Sequence, residues 1–229
     1  MALPRSLLYA ALFYPGTLLW VLAGILVSPF GAGPTLGVVL GWVGMNRWLA
    51  ANILGIRSRV EGTIPPGPHL IAVKHQSMFE TLEMFRLANT PVIVIKRELS
   101  DLPGFGWATR RYGVIPVDRK AGAKALRDMV ARGKEAAQSG RQVIIYPEGT
   151  RVRTGETPPL QSGFAGLYRA LGLPVVPVAV DSGRLWGPNL PRGAGTVHFR
   201  IGEPIPAGLK REEIEARVHS AINALELAP

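Results

Sequence analysis

Two patterns of hydrophobic positions divide this chain near residue 51. From Ser6 to Asn46 no Asp, Glu, Lys or Arg interrupts the apolar residues, and Arg5 and Arg47 bracket the run. A helix crossing the hydrocarbon of a bilayer needs about 20 apolar residues, so the run has room for one long span with an interfacial piece, or for two short helices. Gly and Pro punctuate helices, and the stretch Pro29–Pro34 is the natural break. The pattern predicts helices over Ser6–Ser28 and Thr35 to about Ala51, folded as a hairpin. Gly37, Gly41 and Gly44 recur at spacings that would let the second helix pack closely on the first. Tyr9, Tyr14, Trp20, Trp42 and Trp48 suit an interfacial position. A buried core hairpin and a cleaved signal peptide compete with this reading, although the apolar region is too long for a signal. Basic residues at both ends favour both ends facing the cytoplasm, so residues 1–51 read as a re-entrant or two-pass membrane anchor.

Beyond Arg47 the spacing shortens. Apolar runs at His69–Lys74, Val92–Lys96, Val114–Val117, Gln142–Tyr146, Val175–Val180 and Thr196–Ile201 predict strands. Between them Phe79–Ala88, Ala121–Gln138 and Gly163–Leu171 predict helices. Leu209–Leu227 predicts a closing helix, with Ile214, Val218 and Ile222 four residues apart. Alternation of this kind implies an α/β layered fold over residues 52–229, with a largely parallel sheet flanked by helices. In such sheets ligands sit at the carboxyl ends of the strands, which directs attention to the loops after Lys74, Ile95, Val117, Tyr146 and Val180.

Composition narrows the chemistry. The 229 residues carry a net charge of +10, with 47% hydrophobic and 18% charged residues, too apolar for a disordered chain. The 27 Gly and 20 Pro are dispersed, which excludes collagen-like and low-complexity chains. No cysteine is present, so disulfides, thiolate metal sites and a Cys nucleophile are excluded. The histidines His69, His75, His198 and His219 show no metal-ligand spacing, and no metal site is expected. All acidic residues, and every basic residue except Arg5, lie beyond Asn46. A basic module on a bilayer is drawn to anionic headgroups and anionic substrates. Nucleic acid is disfavoured as a partner, because acids are interspersed and no recognition motif occurs.

Polar residues concentrate in the expected loops. His75 at the end of the first strand is followed five residues later by Glu80, near the start of a helix. A carboxylate bonded to one ring nitrogen fixes the tautomer and leaves the other nitrogen as a base; an unrelated surface histidine and helical glutamate give the same spacing. Tyr146-Pro147-Glu148-Gly149-Thr150-Arg151 follows an apolar strand, and joins a Gly that permits close backbone approach to an Arg suited to phosphate. A solvated turn with Glu148 and Arg151 paired is the alternative. Between these loops lie Lys96-Arg97-Glu98-Leu99, Pro103-Gly104-Phe105-Gly106 and Gly113 to Arg119.

Taken in this order, the motifs resemble the glycerolipid acyltransferase family, and most closely its bacterial 1-acyl-sn-glycerol-3-phosphate acyltransferases. The resemblance covers roughly Leu70 to Ser182. His75 and Glu80 match H-x4-D with glutamate in the acidic place, which adds one methylene. Lys96, Arg97 and Glu98 with Gly113–Arg119 match the second block, and Tyr146–Arg151 is an intact F/Y-P-E-G-T-R. Val175-Val176-Pro177-Val178-Ala179-Val180 matches the fourth block, and the N-terminal apolar pair is similar to the family's two-helix anchor.

The resemblance implies transfer of a fatty acyl group from acyl-CoA or acyl-ACP, as co-substrate and with no cofactor, to the 2-hydroxyl of lysophosphatidic acid, giving phosphatidic acid. It implies a bacterial inner (cytoplasmic) membrane protein with its catalytic domain facing the cytoplasm. His75 oriented by Glu80 would be the general base. With no G-x-S-x-G elbow and no cysteine, direct attack is preferred to an acyl-enzyme. Lys96 and Arg151, with Arg97 beside them, would hold the phosphomonoester, while Glu148, Gly149 and Thr150 shape the loop that binds it. Acylation of another lysolipid such as lyso-ornithine lipid, a non-catalytic basic membrane-surface protein, and a lipid hydrolase are the rival readings.

Overall fold

Short strands that are apolar on both faces need helices on both sides, and this requirement organises the chain. In a computed structural model describing residues 2–118 and 121–226, seven strands form one sheet. They are β1 (Ile56–Glu61), β2 (Leu70–Val73), β3 (Val92–Lys96), β4 (Ile115–Val117), β5 (Val143–Ile145), β6 (Val175–Val180) and β7 (Gly195–Ile201), in the order β1-β7-β6-β2-β5-β3-β4. Neighbours are parallel except β6 and β7, which makes the sheet mixed and largely parallel, as expected.

Successive side chains on a strand point to opposite faces, and the two cores divide accordingly. Ile71, Val73, Ile93, Ile144, Val176 and Val178 join one cluster. It is closed by Phe79, Leu82, Met84 and Phe85 of α3 (Met78–Leu87) and by residues of the N-terminal helices. Leu70, Ala72, Val92, Val143, Ile145 and Val175 join the other cluster. There they meet α6 (Gly122–Gln138), α7 (Ser162–Leu171) and α8 (Arg211–Ile222).

Strand β1 and the short helices α4 (Arg97–Ser100) and α5 (Phe105–Tyr112) were not expected from the pattern. Helix α8 ends at Ile222, short of the expected Leu227; Leu227 and Arg119 lie outside the described residues.

The apolar N-terminal run forms α1 (Ala2–Val27) and α2 (Ala32–Leu49), which continues as a π-helical turn over Ala50–Leu54. The break falls at Ser28–Gly31, on the expected Gly/Pro stretch. Helix α1 is about 39 Å long at 1.5 Å per residue, and Ala2–Phe30 is long and apolar enough to cross a membrane. Its two faces differ. Ser6, Tyr9, Phe13 and Gly24 are buried, and contacts run along this face: Tyr9 donates to Asn46 Oδ1 (2.5 Å) and Trp42 Nε1 donates to Thr17 Oγ1 (3.0 Å), both partners on α2, while Val21 lies beside Gly104 of the body. Leu3, Leu7, Leu8, Leu12, Leu18, Leu19, Leu22 and Leu26 face outward, Leu19 being 67% and Leu26 72% exposed. The buried-hairpin reading therefore holds for one face only.

Of the three glycines expected to bring the helices together, only Gly41 does so: a Cβ there would lie 2.3 Å from the Trp20 ring. Gly37 and Gly44 have nothing within 4 Å of that position. A spacing of three and four residues marks one helical face, but cannot say whether the partner helix reaches all of it.

At the base of α1, the Arg192 guanidinium lies against the rings of Trp186 (4.1 Å) and Tyr9 (4.8 Å), which themselves meet edge to face with centroids 5.3 Å apart. Its Nε and Nη1 are buried without a hydrogen bond among the described residues. Its backbone amide donates to Ser6 Oγ (2.9 Å). Two aromatic faces thus hold a cation at the junction of hairpin and body.

Candidate active site

Strand β2 lies between β5 and β6, so the residues that leave its carboxyl end are held from both sides. The Lys74 amide extends the ladder to the Val178 carbonyl (3.0 Å). The side chain of Lys74 turns inward and is fully buried. Its Nζ donates to Glu148 Oε1 (2.6 Å), the Glu156 carbonyl (2.7 Å) and Asn223 Oδ1 (2.7 Å), so all three ammonium protons are used. The other Glu148 oxygen accepts the His75 amide (2.9 Å), and the His75 carbonyl accepts the Val152 amide (2.8 Å). The loop after β5 therefore clamps the backbone of His75. Burial pushes the Glu148 carboxyl above its usual range, against the pull of Lys74 and the His75 amide.

The His75 ring is oriented by the start of α3. Ser77 is the N-cap and Glu80 the N3 residue of a capping box: Ser77 Oγ accepts the Phe79 amide (3.0 Å), and Glu80 Oε1 accepts the Ser77 amide (2.7 Å). The same oxygen accepts the Gln76 amide (2.8 Å) and contacts His75 Nδ1 at 2.9 Å. Oε2 accepts Ser77 Oγ and Ser182 Oγ, both at 2.6 Å. Burial opposes ionisation of Glu80, but the His75, Ser182 and Ser77 hydrogen bonds prevail and hold its carboxyl below the usual range. A buried carboxylate of this kind accepts an Nδ1–H and leaves Nε2 as the basic nitrogen. The His75 side chain is 17% exposed, and Nε2 has no hydrogen bond among the described residues.

The loop Tyr146–Arg151 lies against this ring. Tyr146 packs on His75 with centroids 4.2 Å apart and 32° between the planes. Its hydroxyl is buried without a hydrogen-bond partner among the described residues, and burial raises its pKa. Gly149 adopts φ +76°, which favours glycine, and its amide closes a turn onto the Tyr146 carbonyl (2.9 Å). Thr150 and Arg151 are exposed. Glu148 pairs with Lys74 and not with Arg151, so the solvated-turn alternative does not describe this loop. Lys96 and Arg97 lie exposed at the end of β3, the strand beyond β5, and neither pairs with another described residue. The structure thus gathers His75, Glu80 and the Tyr146–Arg151 loop, with Lys96 and Arg97 along the same sheet edge.

Residues 56–181 match the family model described as Acyltransferase. A 1-acyl-sn-glycerol-3-phosphate acyltransferase of Pseudomonas aeruginosa is 36% identical over 204 residues, 88% of this chain and 78% of that protein. The chain belongs to the acyltransferase family. The 1-acyl-sn-glycerol-3-phosphate acyltransferase alpha of Bos taurus is 30% identical over 72% of this acyltransferase and 60% of its own length. The crystal structure of the 1-acyl-sn-glycerophosphate acyltransferase PlsC from Thermotoga maritima shares the fold, with a TM-score of 0.77 at 22% identity over 100% of this chain and 99% of that one.

Four side chains of this acyltransferase site were not singled out in its sequence as contributors. Ser77 had a signal: S-x-x-E ahead of an apolar run marks a capping box. Lys74 reads as the last residue of a strand, and nothing in its neighbours announces a partner 74 residues away. Ser182 reaches Glu80 across 102 residues. Gln76 links the His75 loop to the Gly183 amide (2.8 Å). Contacts of such separation are set by the strand order, which no local pattern encodes.

Proposed function

We propose that this acyltransferase moves a fatty acyl group from an acyl-CoA or acyl-ACP thioester to the sn-2 hydroxyl of lysophosphatidic acid, forming phosphatidic acid. His75 Nε2 takes the hydroxyl proton as the oxygen attacks the thioester carbonyl. The C–O bond forms, the C–S bond breaks, and the departing thiolate takes the proton back from the imidazolium. Glu80 keeps the proton of the neutral ring on Nδ1 and stabilises the imidazolium. Arg151 and Lys96 hold the phosphate. Glu148 acts from behind, through Lys74 and the His75 amide. The observation that carries this reading is the single carboxylate that meets His75 Nδ1 at 2.9 Å while accepting four further hydrogen bonds.

The outward apolar face of α1 supports an anchor lying in one leaflet. The helix meets the body at Ser6, through the Arg192 amide, and at Val21 and Gly24, beside Gly104 and Ala108, and these contacts favour a helix lying along the body over one crossing the bilayer. Arg5 and Arg47 flanking the apolar pair favour the cytoplasmic side of an inner membrane for the body.

The test is acyl transfer by purified protein from radiolabelled acyl-CoA to a panel of lysolipids, with His75→Ala in parallel. Lysophosphatidic acid should be the preferred acceptor, and the variant should lose about 10²–10⁴-fold in turnover. Preference for lyso-ornithine lipid, release of free fatty acid without an acceptor, or indifference to His75→Ala would each overturn the reading.

A further inference from the structure

Arg97 leaves the phosphate group of candidates. On α4 it shares a cavity of about 370 Å³ with Arg110 of α5 and with Asp128, Ala131 and Arg132 of α6, and Asp101 completes the rim. Arg110 donates to the Ser100 carbonyl and lies 3.9 Å from Asp101. Arg97 and Arg132 form no ion pair with another described residue. The cavity thus offers two uncommitted guanidinium groups, each able to fork onto phosphate oxygens, beside two carboxylates that accept hydrogen bonds.

Position constrains the occupant. Strands β2, β5, β3 and β4 are consecutive and parallel, so their carboxyl ends share one edge. At about 4.8 Å per strand, the β3 and β4 ends that border the cavity lie about 10 and 14 Å from the β2 end that carries His75. An extended pantetheine arm, about as long as five residues, spans about 17 Å. A thioester carbonyl at His75 therefore leaves the far end of that arm at the cavity.

Resting on the acyl-transfer reading, we propose that this cavity binds the 3′-phosphorylated adenosine diphosphate of coenzyme A, and that the chain is built for acyl-CoA rather than acyl-ACP. Arg97 and Arg132 take phosphates, while Asp101 and Asp128 accept the ribose hydroxyl or the adenine amino group. A carrier protein brings one phosphodiester and neither ribose nor adenine, so it would leave one guanidinium and both carboxylates of the recess without a ligand. A recess of about 370 Å³ falls within the range of small-molecule sites.

The experiment measures the KM of full-length protein for palmitoyl-CoA, palmitoyl-ACP and palmitoyl-pantetheine, and calorimetric binding of adenosine 3′,5′-bisphosphate. The proteins are wild type, Arg132→Gln and Ala131→Phe; both substituted positions are exposed on α6, and both variants should fold. Arg132→Gln should raise the KM for palmitoyl-CoA about tenfold, as for one lost charge-assisted hydrogen bond. It should weaken the bisphosphate in parallel, leaving palmitoyl-pantetheine and the acceptor KM unchanged. Ala131→Phe should do the same by filling the recess. An unchanged KM for palmitoyl-CoA in both variants, or an effect on palmitoyl-ACP alone, would overturn the proposal. Absence of transfer from every donor in wild type would sink the acyl-transfer reading instead, and bisphosphate binding would still report on the cavity.

Discussion

Replacing Glu80 by Gln changes charge while keeping size. The amide oxygen can still accept from His75 Nδ1, the Gln76 amide and the Ser77 amide, and the new NH₂ can donate to the Ser77 and Ser182 hydroxyls, which now face Oε2. The capping box survives in outline; the partner of the imidazolium does not. With charge centres about 4 Å apart and an effective dielectric constant of about 20, the attraction is about 4 kcal/mol. Partial exposure of the ring trims this to about 3 kcal/mol, or a fall in turnover of about 10²–10³-fold. Glu80→Asp keeps the charge but withdraws it by one methylene from five donors. Activity should fall about tenfold, with a capping loss of about 1 kcal/mol. Because the folded pKa of Glu80 is depressed, its ionisation stabilises the fold above the usual carboxylate range, and this contribution is lost as pH falls through the folded value. The stability gap between wild type and Glu80→Gln should therefore be full at neutral pH and close only in acid below the normal glutamate range. The assay is turnover at matched membrane content, alongside chemical denaturation at several pH values. Equal activity of the Gln and Asp variants would refute the electrostatic role and leave Glu80 as a helix cap alone.

Other perturbations separate the remaining parts. Arg151→Ala should raise the KM for lysophosphatidic acid about tenfold or more, with only partial rescue by Lys, since an ammonium lacks the planar fork; equal KM values for all three proteins would remove Arg151 from the headgroup site. Leu8, Leu12 and Leu19 replaced together by Glu should move the protein from the membrane pellet to the supernatant with its circular dichroism intact, since each exposed Leu contributes about 1.5 kcal/mol or more of apolar transfer. Gly106→Ala places a Cβ 2.0 Å from the Ser100 carbonyl oxygen and should cost about 2 kcal/mol, a fall in Tm of about 4–8 °C.

The strands around the site were legible because continuous apolar runs of branched residues serve only a sheet covered on both faces. Strand β1 was not, although Ile56, Ser58 and Val60 alternate with Arg57, Arg59 and Glu61; charge at every second position is what an edge strand shows to water, and it resembles a loop. Helix α5 is short and lies between Gly104 and Gly113, so its Phe-Gly-Trp start read as a loop. The order of the motifs along the chain was enough to group His75, Glu80 and Tyr146–Arg151. Two matters needed the fold: that Glu148 faces Lys74 instead of the solvent, and that Arg97 turns toward α6 while Lys96 stays at the strand end.

The contact of Arg192 with two rings sets how the hairpin responds to its surroundings. A cation held by ring faces, with no carboxylate partner among the described residues, has little to lose to mobile ions, because salt screens exposed charges and leaves buried contacts largely untouched. Ionic strength should leave the joint closed, whereas detergents that compete for apolar surface open it. Trp186 stands at that joint, with its ring 5.3 Å from Tyr9 and 5.7 Å from Phe79 and its amide bonded to the Ser182 carbonyl (2.8 Å). Loosening the hairpin therefore exposes a tryptophan and disturbs the residue that steadies Glu80 in one event, so the choice of solubilising agent bears directly on whether the extracted enzyme remains competent.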